Sequence, residues 1–179
     1  MKRTLRKETV ALTKAYSEKE LNEFSVQIFQ KLEQMQQFTK SKCILAYYSF
    51  PGEVNTHEFI DKYAGEKKII LPVVQKDMLV LREYEGKEKL KKSNFGILEP
   101  TGTDFTNFSE IDLAIIPGRM FDRQLNRLGR GKAYYDRLLT KLSSYLVGVC
   151  YPFQLINEVP TESHDFPMDC IITPDEIIT

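Results

Sequence analysis

The chain opens with two stretches of helical period. Leu5, Leu12 and Tyr16 share one face of a first helix, with basic residues around it. Ser17-Glu18-Lys19-Glu20 has the S-x-x-E form in which a serine and a glutamate satisfy the free backbone donors of a helix start. Leu21, Phe24, Ile28, Leu32 and Met35 then recur at spacings of three and four, which predicts an amphipathic helix with one core-facing stripe. After residue 40 the period changes. Residues 43–48, 68–74, 78–84, 113–116, 145–150 and 170–173 are short apolar runs of strand length. Thr56 stands where it can cap a short helix carrying Phe59, Ile60 and Tyr63, and residues 132–142 read as another helix. Strands that are apolar throughout, alternating in part with helices, predict a sheet covered on both faces. The expected fold class is α/β. It has a single domain over residues 1–179, with an open, largely parallel or mixed sheet of about six strands flanked by helices on both faces. Residues 85–110, with Gly86, Gly96, Pro100 and Gly102, read as a loop-rich stretch.

Composition adds exclusions. Hydrophobic residues make up 42% and aromatic residues 11% of 179 residues, enough for a core without disulfide or metal support. The three cysteines, Cys43, Cys150 and Cys170, form no CxxC pair and each sits in an apolar run, so they read as small core residues in a reducing compartment. His57 and His164 lie far apart, which argues against a histidine-rich zinc site. No run approaches the ~18 apolar residues of a membrane span. The basic opening from Met1 to Lys7 is not followed by the apolar region of a signal peptide. A soluble, cytoplasmic protein with no membrane partner is expected.

Basic and acidic residues number 25 each, a formal net charge of zero, which disfavours a bulk nucleic-acid binder. The zero is unevenly distributed. Arg119, Arg123, Arg127, Arg130, Lys132 and Arg137 face only Asp122 and Asp136 in their segment, and Lys2, Arg3, Arg6 and Lys7 form a second basic cluster. From Leu142 onward there is no lysine or arginine, while Glu158, Glu162, Asp165, Asp169, Asp175 and Glu176 all lie there. Charge runs are usually solvated faces. Here, however, a strand ends at Pro117-Gly118, and Arg127-Leu128-Gly129-Arg130-Gly131-Lys132 leads into a helix start at Ala133-Tyr134-Tyr135-Asp136. Ligands of open α/β sheets bind at the carboxyl ends of strands. A glycine-containing cationic loop there suits a polyphosphate. It is not a Walker A loop, because Ala133 stands where Ser or Thr is needed, and it lacks the third glycine of the dinucleotide fingerprint. Asp136 is open to two readings: a carboxylate for a nucleotide's magnesium, or an i,i+4 salt bridge with Lys132.

These residues resemble a known signature. Pro117-Gly118, Phe121-Asp122 and the run from Asn126 to Arg137 resemble the signature of the 5-formyltetrahydrofolate cyclo-ligase (5,10-methenyltetrahydrofolate synthetase) family. Lys2-Arg3-Thr4-Leu5-Arg6 resembles the family's opening K-x-x-L-R. Tyr48-Ser49 through Glu53-Val54-Asn55-Thr56 resembles its early strand and acidic turn, and residues 95–100 its G-I-x-E-P. The resemblance implies ATP- and magnesium-dependent closure of 5-formyltetrahydrofolate to 5,10-methenyltetrahydrofolate, with release of ADP and phosphate. Its partners would be these small molecules alone, without nucleic acid, and the enzyme would be a monomer. Carried over by position, Lys2, Arg3, Thr4, Leu5 and Arg6 would bind ATP. So would Arg127, Leu128, Gly129, Arg130, Gly131, Lys132, Ala133, Tyr134 and Tyr135. Tyr48 and Glu53 would bind the folate, joined at its reacting end by Arg130, Gly131, Lys132, Ala133 and Tyr134. Arg130, Lys132 and Tyr134 would be catalytic, and Asp136 and Asp165 would hold Mg2+. Two departures concern the loop backbone: Leu125 and Ala133 stand where the family commonly has glycine. The alternative reading is a non-catalytic nucleotide, folate or RNA binder, with Tyr134 and Tyr135 as stacking platforms.

Overall fold

The computed structural model describes every residue except Asn94, Phe95, Ile97 and His164. The expectations placed on Phe95, Ile97 and His164 therefore lie outside the described residues.

Helix α1 spans Lys2–Thr13. Its inward residues are Leu5 and the fully buried Thr9, while Leu12, expected on that face, is 41% exposed. Helix α2 (Glu18–Gln34) begins at the expected capping box: Glu20 N donates to Ser17 Oγ at 3.3 Å, and Ser17 N donates to Glu20 Oε2 at 2.8 Å. Its stripe buries Ile28 and Leu32 completely. The short α3 (Gln36–Lys40) adds Phe38 to the same layer.

The remaining elements follow in order: β1 (Cys43–Leu45), α4 (His57–Tyr63), β2 (Lys68–Gln75), β3 (Met78–Glu83), β4 (Leu90–Lys92), β5 (Leu98–Pro100), β6 (Asp104–Phe105), β7 (Leu113–Pro117), β8 (Met120–Asp122), β9 (Arg127–Leu128), α5 (Tyr134–Leu139), β10 (Tyr145–Val149), β11 (Leu155–Ile156), β12 (Cys170–Ile172) and β13 (Ile177–Ile178). Eight strands form the main sheet, in the order β13-β12-β10-β7-β1-β2-β3-β6. The block from β12 to β2 is parallel, and β13, β3 and β6 are added antiparallel at the edges. Strands β11, β8 and β9 form a small separate sheet beside it, and β4 pairs with β5. All six expected strands are present. The two not foreseen in the main sheet, β6 and β13, are two-residue edge strands, too short to show a period.

Alternate side chains of the central strands face opposite layers. Ile44, Ile69, Leu113, Ile115 and Val147 pack against α2, α3 and α4, whereas Leu45, Ile70, Ala114, Ile116 and Ile171 pack against Leu138 and Leu139 of α5. Burial on both faces is why these runs carry no polar alternation. The three cysteines are free and buried, and burial pushes the Cys43 thiol up to about 12 and the Cys170 thiol up to about 11. No helix of the described residues is long and apolar enough to cross a membrane.

Three boundaries differ from expectation, each toward the cleft. The β1 ladder ends at Leu45, so Tyr47 and Tyr48 leave the sheet. Thr56 makes no side-chain cap for α4, and its Oγ1 donates instead to Tyr47 O at 2.5 Å, closing the loop after β1. Helix α5 is shorter than residues 132–142, because Ala133 adopts a left-handed conformation (φ 51°, ψ 25°) that cannot belong to a right-handed turn.

Candidate active site

The carboxyl ends of β1, β2 and β7 open onto a cavity of about 490 Å³. Tyr47, Tyr48, Phe50, Pro72, Val74 and Tyr135 are among its walls. The Tyr48 ring stacks on the His57 imidazole with centroids 3.9 Å apart. Glu53 also lines the cavity, from a pinned backbone, because Tyr151 Oη donates to Glu53 O at 2.7 Å. Its carboxylate accepts from Phe50 N at 2.9 Å and from Arg130 Nη2 at 2.5 Å. The Arg130 guanidinium also lies 4.3 Å from the Phe50 ring centre. Burial, together with the Glu53 charge, raises the Tyr135 phenol well above the ordinary range. The cavity therefore combines flat apolar walls with charged groups, the composition of a small-molecule site.

A second cavity of about 590 Å³ lies on the other side of the loop, between α1 and the carboxyl-terminal segment. Lys2, Arg3 and Arg6 line it from α1, Gly129 and Gly131 from the loop, and Glu162 and Asp165 from the carboxyl-terminal segment. Arg6 Nε donates to Gly129 O at 2.8 Å, which fastens α1 to the loop. Gly131 has φ 101°, a conformation that favours glycine, and a Cβ there would press on the Arg6 guanidinium, 3.2 Å from its Cζ. Lys2 Nζ donates to Asp165 Oδ2 at 2.7 Å and reaches Glu162 Oε1 at 3.1 Å. Burial works against the Lys2 charge, but these hydrogen bonds outweigh it and hold its ammonium above the ordinary lysine value.

Arg127, Gly129, Ala133 and Asp136 line both cavities, so the loop is their common wall. Arg127 is 6% exposed. Its Nη2 pairs with Asp136 Oδ1, its Nη1 donates to Pro117 O at 3.3 Å, and its Nε has no partner among the described residues. The loop is anchored by Asp122, which is fully buried and was not nominated from sequence. Asp122 accepts from Gln124 N, Asn126 N, Asn126 Nδ2 and Val159 N at 2.8–3.0 Å.

The expected site residues thus fall into groups. Tyr48, Glu53, Arg130, Lys132, Tyr134 and Tyr135 line the first cavity; Lys2, Arg3, Arg6, Leu128, Gly131 and Asp165 line the second. Lys132 Nζ lies 5.6 Å from the Tyr134 ring centre. Thr4 and Leu5 line neither cavity: Thr4 is exposed, and Leu5 packs against Met120, Leu128 and Val159. Two of the six cations counted in the basic segment turn away, Arg123 to Glu176 and Arg137 to Asp77 O. Asp136 pairs with Arg127 and not with Lys132. Arg119, counted in the charge but not nominated, lines the first cavity, as does Phe50.

Among the described residues no group of three or more His, Cys, Asp or Glu side chains is arranged to cage a metal. Asp136 and Asp165 nevertheless face the same cavity. Two carboxylates suit magnesium, which keeps several waters and takes phosphate oxygens as its other ligands. They fit an ion carried in with a nucleotide.

The family model for the 5-formyltetrahydrofolate cyclo-ligase family matches residues 1–174. A 5-formyltetrahydrofolate cyclo-ligase from Haemophilus influenzae is 31% identical over 93% of this chain and 90% of its own. One from Mus musculus is 30% identical over 97% and 94%. The NMR structure of Aquifex aeolicus 5,10-methenyltetrahydrofolate synthetase superposes with a TM-score of 0.88 at 33% identity, over 98% of this chain and 91% of that one. With a matching loop signature, a matching fold and matches along nearly its whole length, this chain belongs to the 5-formyltetrahydrofolate cyclo-ligase family, enzymes of the ligase class.

Proposed function

We propose that the protein cyclises 5-formyltetrahydrofolate to 5,10-methenyltetrahydrofolate with ATP and magnesium, releasing ADP and phosphate. The observation that carries this reading is the common wall: residues 127–136 separate a cavity with aromatic walls from one lined by cations and carboxylates. Folate occupies the first cavity and the triphosphate the second, so the γ-phosphoryl group meets the formyl oxygen at the loop.

A formamide oxygen is a poor leaving group. Its phosphorylation forms an O–P bond, while the bond to ADP breaks with its electron pair. The folate N10 then attacks the activated carbon, and the oxygen departs in phosphate together with the N10 proton. The protein forms no covalent bond in this scheme, so its contribution is positioning and charge stabilisation. Tyr48 and the Glu53 carboxylate orient the heterocycle. Arg130, Lys132 and Tyr134 surround the reacting end, and Arg6 and Arg127 hold the phosphates. Asp136 and Asp165 would hold the magnesium, which would neutralise charge on the phosphate oxygens.

Purified protein mixed with ATP, a magnesium salt and 5-formyltetrahydrofolate is expected to develop the near-ultraviolet absorbance of the methenyl product. Folded protein that produces no absorbance change under these conditions overturns the reading.

A further inference from the structure

Arg119 follows Pro117-Gly118 at the end of β7, in the middle of the main sheet. Its backbone is pinned on both sides: Arg119 N donates to Leu128 O at 2.7 Å, and Arg119 O accepts from Gln154 Nε2 at 3.1 Å. Its side chain is half-buried and lines the cavity with aromatic walls, not the one between α1 and the carboxyl-terminal segment. Among the described residues its guanidinium has neither a hydrogen bond nor an ion pair. The neighbouring arginines are engaged, Arg127 with Asp136 and Arg130 with Glu53. Burial, and then the charge of Arg130, hold Arg119 below the ordinary arginine value, while Glu53 opposes them. Arg119 and Arg130 are therefore within electrostatic reach of each other. A guanidinium cannot discard its proton at working pH. Keeping one partly desolvated without a counter-ion is costly, unless an anion meets it during turnover.

We infer that Arg119 meets the transferred phosphoryl group on the folate side of the loop, as a catalytic residue. This inference rests on the cyclisation proposed above. Two anionic groups can enter that cavity, the phosphoryl group and the carboxylate tail of the folate. The position of Arg119 favours the first, because its backbone is hydrogen-bonded to Leu128, between the shared-wall residues Arg127 and Gly129, where the reacting end lies. The chemistry requires a cation there. As the O–P bond to the formyl oxygen forms and the bond to ADP breaks, three charged oxygens arrive in a cavity where Arg127 and Arg130 are already paired with carboxylates. Arg119 donates N–H groups to them and exchanges no proton. The same contact persists until N10 closes the ring and phosphate leaves with the former formyl oxygen.

The test compares wild type with Arg119→Met, Arg119→Lys and Arg119→Ala. Methionine retains the stem and removes the charge. The expected result is a kcat lower by about 100-fold in Arg119→Met. ATP affinity measured by calorimetry and the KM for 5-formyltetrahydrofolate should change less than about threefold. Partial recovery is expected in Arg119→Lys, and in Arg119→Ala on addition of free guanidinium, a rescue that a merely structural role would not show. Unchanged kcat in Arg119→Met overturns the assignment. So does an unchanged kcat with a raised folate KM that grows with the number of glutamyl carboxylates, which would make Arg119 a tail-binding residue. Failure of folded wild-type protein to form any methenyl product removes the proposed function itself, and this role with it.

Discussion

Lys2 and Asp165 form an ion pair at 2.7 Å across 163 positions of sequence, joining the start of α1 to the acidic carboxyl-terminal segment over one cavity. Without nucleotide, an expected triphosphate cation and an expected magnesium ligand neutralise each other. On the proposed function, nucleotide binding exchanges partners here, Lys2 moving to phosphate and Asp165 to the metal. Lys2→Met is expected to raise the KM for ATP by about tenfold, the worth of one charge-assisted hydrogen bond, with thermal stability little changed because both side chains retain solvent contact. Steady-state titration of ATP checks it. An unchanged KM would make the pair a structural latch only.

The two carboxylates assigned to magnesium sit in different environments, and their removal is expected to differ. Asp136 neutralises Arg127, whose side chain is 3% exposed. Asp136→Asn leaves that guanidinium buried without a counter-ion, so a loss of about 3–5 kcal/mol is expected in urea unfolding, together with loss of turnover. Asp165→Asn is expected to shift the half-saturating magnesium concentration upward by about tenfold while leaving the urea midpoint nearly unchanged. Equal destabilisation by both variants would contradict this division of roles.

What was legible in the sequence follows from what has a period or a motif. Central strands buried on both faces announce themselves as continuous apolar runs, and the Ser17 cap announces α2. Among the expected site residues, Arg6 is tied to Gly129, Lys2 to Asp165 and Arg130 to Glu53. The rest has no one-dimensional signal. Edge strands of two residues show no alternation. Leu12 and Thr9 trade places: Thr9 is buried with its hydroxyl satisfied on its own helix at Leu5 O, while Leu12 faces outward. Arg119 differs from Arg123 only in what the fold sets beside it, and a charge count treats them alike.

The two departures from the family's glycines both fall at left-handed backbone, Leu125 at φ 68° and Ala133 at φ 51°. These positions call for glycine geometry, and this chain meets it with side chains at a cost of roughly 1–2 kcal/mol each. Ala133→Gly relieves that strain but returns roughly 0.4–1 kcal/mol through a freer unfolded chain. The net expectation is a gain of about 0.5 kcal/mol in urea unfolding. Leu125→Gly also forfeits packing, since Leu125 lies against the core layer of Phe121 and Met168. It is expected to be neutral or destabilising. A clear stabilisation by Leu125→Gly, or destabilisation by Ala133→Gly, would show that the loop geometry is wrongly understood.

His57 fixes the Tyr48 ring by stacking at 3.9 Å with an interplanar angle of 18°. Its Nε2 lies 3.1 Å from Ser49 O, an acceptor, so in the neutral ring that nitrogen carries the hydrogen. Half-burial lowers the His57 pKa below its ordinary value of 6.5, partly opposed by the Ser49 hydrogen bond and the Asp61 charge. The sign follows from proton counting. The unfolded chain takes up its proton as pH falls through about 6.5, before the folded protein does. Stability from this residue is thus fully present above that pH. It declines as pH falls toward the lower folded value, and is level again below it. His57→Phe keeps a flat ring for Tyr48 but cannot titrate. Urea midpoints followed from pH 7.5 to 5 are expected to fall less steeply for His57→Phe than for wild type, with the KM for 5-formyltetrahydrofolate at pH 7.5 little changed because the stack survives. His57→Ala is expected to raise that KM, because Tyr48 loses its support. Parallel pH slopes for wild type and His57→Phe would show that the acid sensitivity originates elsewhere, and an unaltered KM in His57→Ala would show that Tyr48 holds its place without the imidazole.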